Sequence, residues 1–233
     1  MLNLFITGTD TDVGKTLVSC ALLAALQRQG LSTIGYKPIS AGCKATSQGL
    51  ENADAQALLQ HSSLPVTLQQ VNPIAFEPPI APHIAAELAG TTIDSQAVVE
   101  GWEALANLRP DVLLTEGAGG WQLPINTQQT LPEVLNVICP KVILVVGTRL
   151  GCLNHSLLTA QAIKAQGFEL TGWIANYVEQ DMPVAEHNIE TLMRMIPAPL
   201  LGEIPFLGRE SEHAHQFDRA VNALDLSQLL NAS

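Results

Sequence analysis

Charged side chains are scarce in this chain, at 14% of its residues, and aromatic ones are scarcer still at 4%. Chains that stay disordered are rich in charge and poor in apolar residues, whereas here 47% of residues are hydrophobic, which excludes a disordered polymer and calls for strands and helices buried on more than one side. Basic charge is the rarer sign, with 11 Lys and Arg against 22 Asp and Glu, a net charge of −11, and no block of either sign. Such a surface repels nucleic acid and anionic membranes, so neither is expected as a partner. The four cysteines, Cys20, Cys43, Cys139 and Cys152, stand far apart without C-x-x-C or metal-finger spacing, which points to reduced thiols in a cytoplasm. No apolar run approaches the about 18 residues of a membrane span, and Met1 leads directly into a strand-like stretch instead of a secretory signal. A soluble, cytoplasmic protein is expected. Without repeats, low-complexity blocks or linkers, the 233 residues read as a single domain, 1–233, large enough to bury a substantial core.

The most informative stretch runs from Thr7 to Thr16. An apolar run, Leu4-Phe5-Ile6, precedes Gly8-Thr9-Asp10-Thr11-Asp12-Val13-Gly14-Lys15-Thr16, and an apolar-rich helix follows over Lys15–Gln29. Strand, glycine-bearing loop and helix in this order make a phosphate-binding loop: backbone N–H groups and the positive helix end cradle phosphate oxygens, Lys15 reaches the outer phosphates and Thr16 places its hydroxyl on Mg²⁺. The usual spacing wants glycine at position 9. Here Thr9 stands there, and the glycine is displaced to Gly8.

Leu31–Tyr36 reads as a second strand delivering Lys37 to its C-terminal end, where ligands gather in open α/β sheets. Lys37 is either a solvated surface lysine or a ligand-facing cation, and its placement one strand after the loop favours the second. Residues 43–52 read as a mobile polar loop before a helix over Ala55–Gln60. Asn52 and Asp54 are both candidates to cap that helix, and Asp54 is also a candidate metal ligand. The proline-rich segment Val71–His83 reads as a rigid extended wall, followed by helices over Ile84–Leu88 and, capped by Asp94 or Ser95, over Gln96–Leu108. Asp111–Gly120 reads as a buried strand ending in a carboxylate, Glu116, and then a glycine-rich turn, Gly117-Ala118-Gly119-Gly120. Glu116 either holds Mg²⁺ beside the phosphate loop or caps the turn.

Lys141–Gly147 is a fully apolar strand, and Leu150-Gly151-Cys152-Leu153-Asn154-His155 opens a helix to about Gln166 whose free N-terminus suits an anion. Gly172–Val178 is a further strand carrying Asn176, either a base-reading amide or a turn residue. A helix over Ala185–Met195, a short strand near Leu200–Leu207 and a helical tail over Ala220–Leu230 complete the chain. The alternation predicts a mostly parallel sheet covered on both faces, an α/β fold of the P-loop NTPase type.

Gly8–Thr16, Gly35-Tyr36-Lys37-Pro38, Pro82-His83, Glu116–Gly120, Leu150–His155 and Pro197–Pro205, in this order, resemble the dethiobiotin synthetase family over nearly the whole chain. The resemblance implies ATP- and Mg²⁺-dependent conversion of 7,8-diaminopelargonic acid and CO₂ to dethiobiotin, ADP and phosphate, the penultimate step of biotin synthesis, through a carbamate and a carbamic–phosphoric anhydride. It implies catalytic roles for Lys15, Lys37 and Thr11, and Mg²⁺ ligation by Thr16, Asp54 and Glu116. It further implies nucleotide contacts from Asp12, Val13, Gly14, Leu17, Gly117, Ala118, Gly119, Asn176, Tyr177, Pro205, Phe206, Leu207 and Glu212. The substrate would meet Lys37, Ser40 and Ala41, and in a homodimer its carboxylate would meet the partner's Gly151, Cys152, Leu153 and Asn154. The family carries serine where Ala41 stands, so Ser40 or backbone takes that place here, and the tyrosine that some members place near Asn188 is missing. His83 is expected to pack beneath the proline-rich wall.

Two other readings share the nucleotide loop. A cobyrinic-acid-type amide ligase usually carries a glutaminase domain, for which this chain has no room. A partitioning or division switch ATPase usually has an earlier lysine in the loop, where this chain has Asp10 and Asp12.

Overall fold

The computed structural model describes residues 1–208 and 213–231. Its first half runs β1 (Leu2–Gly8), α1 (Lys15–Arg28), β2 (Thr33–Tyr36), β3 (Ile39–Ser40), β4 (Lys44–Thr46), β5 (Gly49–Glu51), α2 (Ala53–Gln60), α3 (Leu68–Val71), β6 (Ile74–Ala75), α4 (Pro82–Leu88) and α5 (Ser95–Ala106). The second half runs β7 (Val112–Gly120), α6 (Leu131–Ile138), β8 (Lys141–Thr148), α7 (Cys152–Ala165), β9 (Leu170–Tyr177), α8 (Ala185–Met195), β10 (Leu200–Ile204), α9 (His213–Asn222) and α10 (Ser227–Asn231).

Six strands form one sheet in the order β10-β9-β8-β1-β7-β2, and every neighbouring pair is parallel. Side chains alternate across a strand, so an apolar strand buried on both faces needs a helical layer on each. On one face Leu4, Ile6, Val112, Leu114, Ile143 and Val145 pack with α1, α2, α9 and α10. On the other, Phe5 and Val142 pack with α5 and α6, and Leu144, Val146 and Trp173 with α7 and α8. The expected α/β class with helices on both faces is what the chain adopts.

Several local expectations change. The polar stretch 43–52 holds an antiparallel hairpin, β4 with β5, rather than an unstructured loop. Gly49 at φ 116 and the Thr46 hydroxyl on the Gly49 carbonyl close its turn, which no hydrophobic alternation announces. The wall after Val71 is extended only in part, because Pro82 opens α4 at the first helical turn, where its missing N–H is harmless. β7 does not end at Glu116; it continues through Gly120, so the glycines belong to the strand. The helical tail breaks after Asn222, where Asp225 N–H bonds the Leu201 carbonyl and fastens the chain to β10. Helix α6 answers to none of the elements expected from sequence, although its capping box, the Glu133 carboxylate on Thr130 N–H and hydroxyl, is written there as T-x-x-E.

Candidate functional site

The site lies where β1, β2 and β7 end, at the edge to which parallel strands deliver their C-termini. Gly8 closes β1, and a Cβ there would meet Val13 Cγ2 at 2.6 Å and the Asp10 carbonyl at 2.9 Å. Thr9 instead donates its N–H to the Val145 carbonyl at 3.0 Å with φ outside the left-handed region, so a β-branched residue fits. This explains the displaced glycine: the close approach falls one residue early. Gly14 caps α1 at φ 86, and a Cβ on it would collide with the Asn176 amide, which donates to the Val13 carbonyl at 2.9 Å. Val13 is itself core, its side chain filling the space over Gly147.

Sheet register does the rest. Ile6 pairs with Glu116 and Tyr36 with Thr115, so Lys37, the residue after β2, arrives beside Glu116 although 79 positions separate them. Lys37 Nζ lies 2.6 Å from Glu116 Oε1, 3.3 Å from Asp54 Oδ2 and 3.2 Å from the Gly117 carbonyl. Glu116 is 0% exposed and accepts the Thr16 hydroxyl at 3.0 Å on the same Oε1. Burial alone would push the Lys37 ammonium down; the Glu116 and Asp54 carboxylates outweigh it and hold its pKa above the ordinary value. Among the described residues the buried Lys15 has no carboxylate within bonding distance, and it bonds the Asp10 carbonyl at 3.2 Å; desolvation, then repulsion from Lys37, lowers it to about 8.

Asp54 is free for this contact because Asn52 takes the cap of α2, accepting Asp54 N–H at 3.0 Å and Ala55 N–H at 3.2 Å. Asn52 rather than Asp54 is therefore the cap of α2, and Lys37, at 4% exposure, is buried rather than solvated. Thr16, Asp54 and Glu116 present hard oxygen donors of the kind Mg²⁺ prefers, and Glu116 Oε2 is buried with no hydrogen-bond partner among the described residues. That orphaned oxygen fits a cation.

These groups border one cavity of about 940 Å³ that also touches Thr11, Asp12, Gly14, Ser40, Ala41, Ala118 and Gly119, with Pro79 to Pro82 as its far wall. Ser40 is buried, its hydroxyl donating to Asn72 Oδ1 at 2.7 Å, while Asn72 Nδ2 donates to the Lys37 carbonyl at 2.7 Å. Asn72 thus braces the strand end that carries Lys37, a role that its place in the proline-rich segment Val71–His83 does not announce. Leu17 lies on the core side of α1 and not on the cavity. Tyr177, at the end of β9, donates to Glu203 at 3.0 Å, and Pro205, Phe206 and Leu207 follow β10. Glu212 lies outside the described residues. Gly151 to Asn154 open α7 and are not among the residues that line their own chain's cavity, and Asn188 sits on α8. His83, expected to be packed, is only half-buried beside Pro82, and its Nδ1 is buried without a partner among the described residues.

A model of the AAA domain family matches residues 2–213. The chain is 50% identical to the ATP-dependent dethiobiotin synthetase BioD of Cellvibrio japonicus, with 98% of this chain and 97% of that one covered. The chain belongs to the dethiobiotin synthetase family. It is 46% identical to the ATP-dependent dethiobiotin synthetase BioD 1 of Salmonella typhi over 98% of each chain. Among solved structures the MinD cell division protein of Aquifex aeolicus has the same fold, with a TM-score of 0.55 at 15% identity, covering 97% of this chain and 88% of that one. The fold is therefore shared with that cell division protein, while the sequence relationship is to the synthetases. No helix among the described residues is long and apolar enough to cross a membrane.

Proposed function

We propose that this chain, as one nucleotide-binding domain, is an ATP-dependent cyclo-ligase that forms dethiobiotin from 7,8-diaminopelargonic acid and CO₂ in the cytoplasm, where its four free cysteines stay reduced. The carrying observation is the buried Lys37 ammonium, set between two carboxylates beside the phosphate loop and facing a cavity that extends past the phosphate site to the proline wall. One amine of the substrate adds to CO₂, releasing a proton and leaving a carbamate. A carbamate oxygen attacks the γ-phosphorus and ADP departs; the second amine then attacks the carbamoyl carbon, closing the urea ring and expelling phosphate.

Lys37 and Lys15 hold the carbamate and the transferring phosphoryl group together, and Thr11 donates to the same oxygens. Such transfers need positioning and charge stabilisation rather than a covalent enzyme intermediate. Thr16, Asp54 and Glu116 would hold Mg²⁺, which when bound neutralises charge on the β- and γ-phosphates. Asn176, Tyr177 and the Pro205-Phe206-Leu207 segment border the base end. The partner of a homodimer presents Gly151 to Asn154 to the substrate carboxylate; Leu150, 97% exposed, and Leu158, 57% exposed, support an apolar contact face around that helix start.

The test is incubation with diaminopelargonic acid, bicarbonate and Mg·ATP, following ADP and dethiobiotin by mass spectrometry. ADP release that requires diamine and bicarbonate and matches the cyclic urea mole for mole is the expected result. ATP turnover indifferent to the diamine would instead favour the switch-ATPase reading.

Lys15 adds a pH signature. With its pKa near 8 in the free protein, it is charged below that pH, and bound phosphates favour the charged form and raise the pKa. Nucleotide binding should therefore take up a proton at about pH 8.5 and not at about pH 7, and should weaken by up to about tenfold per unit above pH 8. Calorimetry in two buffers of different ionisation enthalpy reads the proton count; proton release at pH 8.5 would contradict the assignment.

A further inference from the structure

Arg149 has no part in the roles described above. It follows Thr148 at the end of β8, and its carbonyl accepts the Cys152 N–H at 3.0 Å in the turn that opens α7. Its guanidinium reaches the phosphate loop, with Nη2 2.5 Å from Asp10 Oδ2. Asp10 is heavily used in that loop: Oδ1 accepts the Thr11 N–H at 2.8 Å and the carbonyl accepts the Lys15 ammonium at 3.2 Å. The two ionic side chains are 33% and 47% exposed, so their pairing is not a requirement of the core.

A carboxylate in this place opposes what the loop is built for. Backbone N–H groups and the start of α1 draw in anions, and a negative charge at Asp10 works against them. The turn at Thr11 needs only an acceptor oxygen, which asparagine supplies as well, so the bare charge contributes nothing to the turn. Arg149 cancels that charge from a neighbouring strand.

We infer that Arg149 is a positioning residue for nucleotide binding: its guanidinium neutralises Asp10, so the loop keeps its carboxylate-held turn without repelling a polyphosphate. The inference rests on the reading that this loop takes Mg·ATP. Two unit charges a few ångströms apart at a partly exposed site interact strongly enough to change an affinity about tenfold, and added salt screens the effect.

The experiment measures Mg·ADP affinity by calorimetry for the wild type, Arg149→Ala, Arg149→Lys and the double variant Asp10→Asn with Arg149→Ala. At about 50 mM salt Arg149→Ala should bind about tenfold more weakly, with the gap narrowing at about 0.5 M salt. Arg149→Lys should stay within about threefold of the wild type, and the double variant should recover to within about threefold, because it lacks the charge that needed cancelling. A double variant as weak as Arg149→Ala would mean that Arg149 acts by holding the α7 turn, and would overturn the inference. Equal affinities for the wild type and Arg149→Ala would overturn it too. A wild type that binds no nucleotide would instead refute the functional reading on which the inference stands.

Discussion

Replacing Lys37 by alanine should lower kcat by about 10³-fold or more while changing ATP affinity by no more than about fivefold. The ammonium is buried and lies against Glu116 and Asp54, so its removal deletes the positive charge that the phosphoryl-transfer transition state would use. It also leaves a fully buried carboxylate without its cation, a change that costs about 3–5 kcal/mol when one member of a buried pair is removed. Melting temperatures must therefore be measured beside single-turnover product formation. Lys37→Arg should not rescue the reaction. The backbone here is clamped, with Lys37 N–H on the Val71 carbonyl at 2.8 Å and the Lys37 carbonyl on Asn72, so a longer planar head cannot back away from Glu116. A folded Lys37→Ala protein retaining kcat within about tenfold would remove Lys37 from the reaction.

The second large effect belongs to Glu116→Gln, which preserves shape. Glu116 supplies Oε1 to both Lys37 and Thr16, and leaves Oε2 buried with no partner among the described residues. An amide there puts N–H donors where a cation would be received, and Lys37 loses the nearer charge that holds its pKa up while the burial that pushes it down remains. The expected outcome is a kcat about 10²-fold lower and a half-saturating Mg²⁺ concentration more than about tenfold higher. Titration of activity with Mg²⁺ at saturating ATP checks both. Asp54→Asn should fall in the same direction by less, since the Asp54 side chain is 44% exposed and its charge is screened by water. A Mg²⁺ requirement unchanged in Glu116→Gln would argue against this carboxylate as a metal ligand.

How much of this was legible in the sequence varies with the range of the interaction. The phosphate loop is a contiguous set of residues legible from strand, glycine and helix in succession, its irregular glycine included. The long apolar strands β7 and β8 were legible because burial on both faces demands continuous apolar runs. Hairpin β4–β5 was not, because its strands are exposed and carry no alternation. Helix α6 carries no more than a capping-box signature, and Asn72 and Arg149 carry none: a single Asn and a single Arg take their meaning from what lies opposite.

Alternation of strands and helices, the position of the nucleotide loop and the family all follow from sequence, since each depends on neighbours along the chain or on motifs in a set order. Which charges meet is a property of the folded chain. The parallel register of β1 and β2 on β7 sets Lys37 beside Glu116, the Asn52 cap leaves Asp54 free to join them, and the nearness of β8 to β1 lets Arg149 reach Asp10. The physical reason is that local hydrogen bonding and periodicity are short-range properties of the chain. Contacts across about a hundred residues are fixed by the strand order that buries the most apolar surface, which no local pattern records.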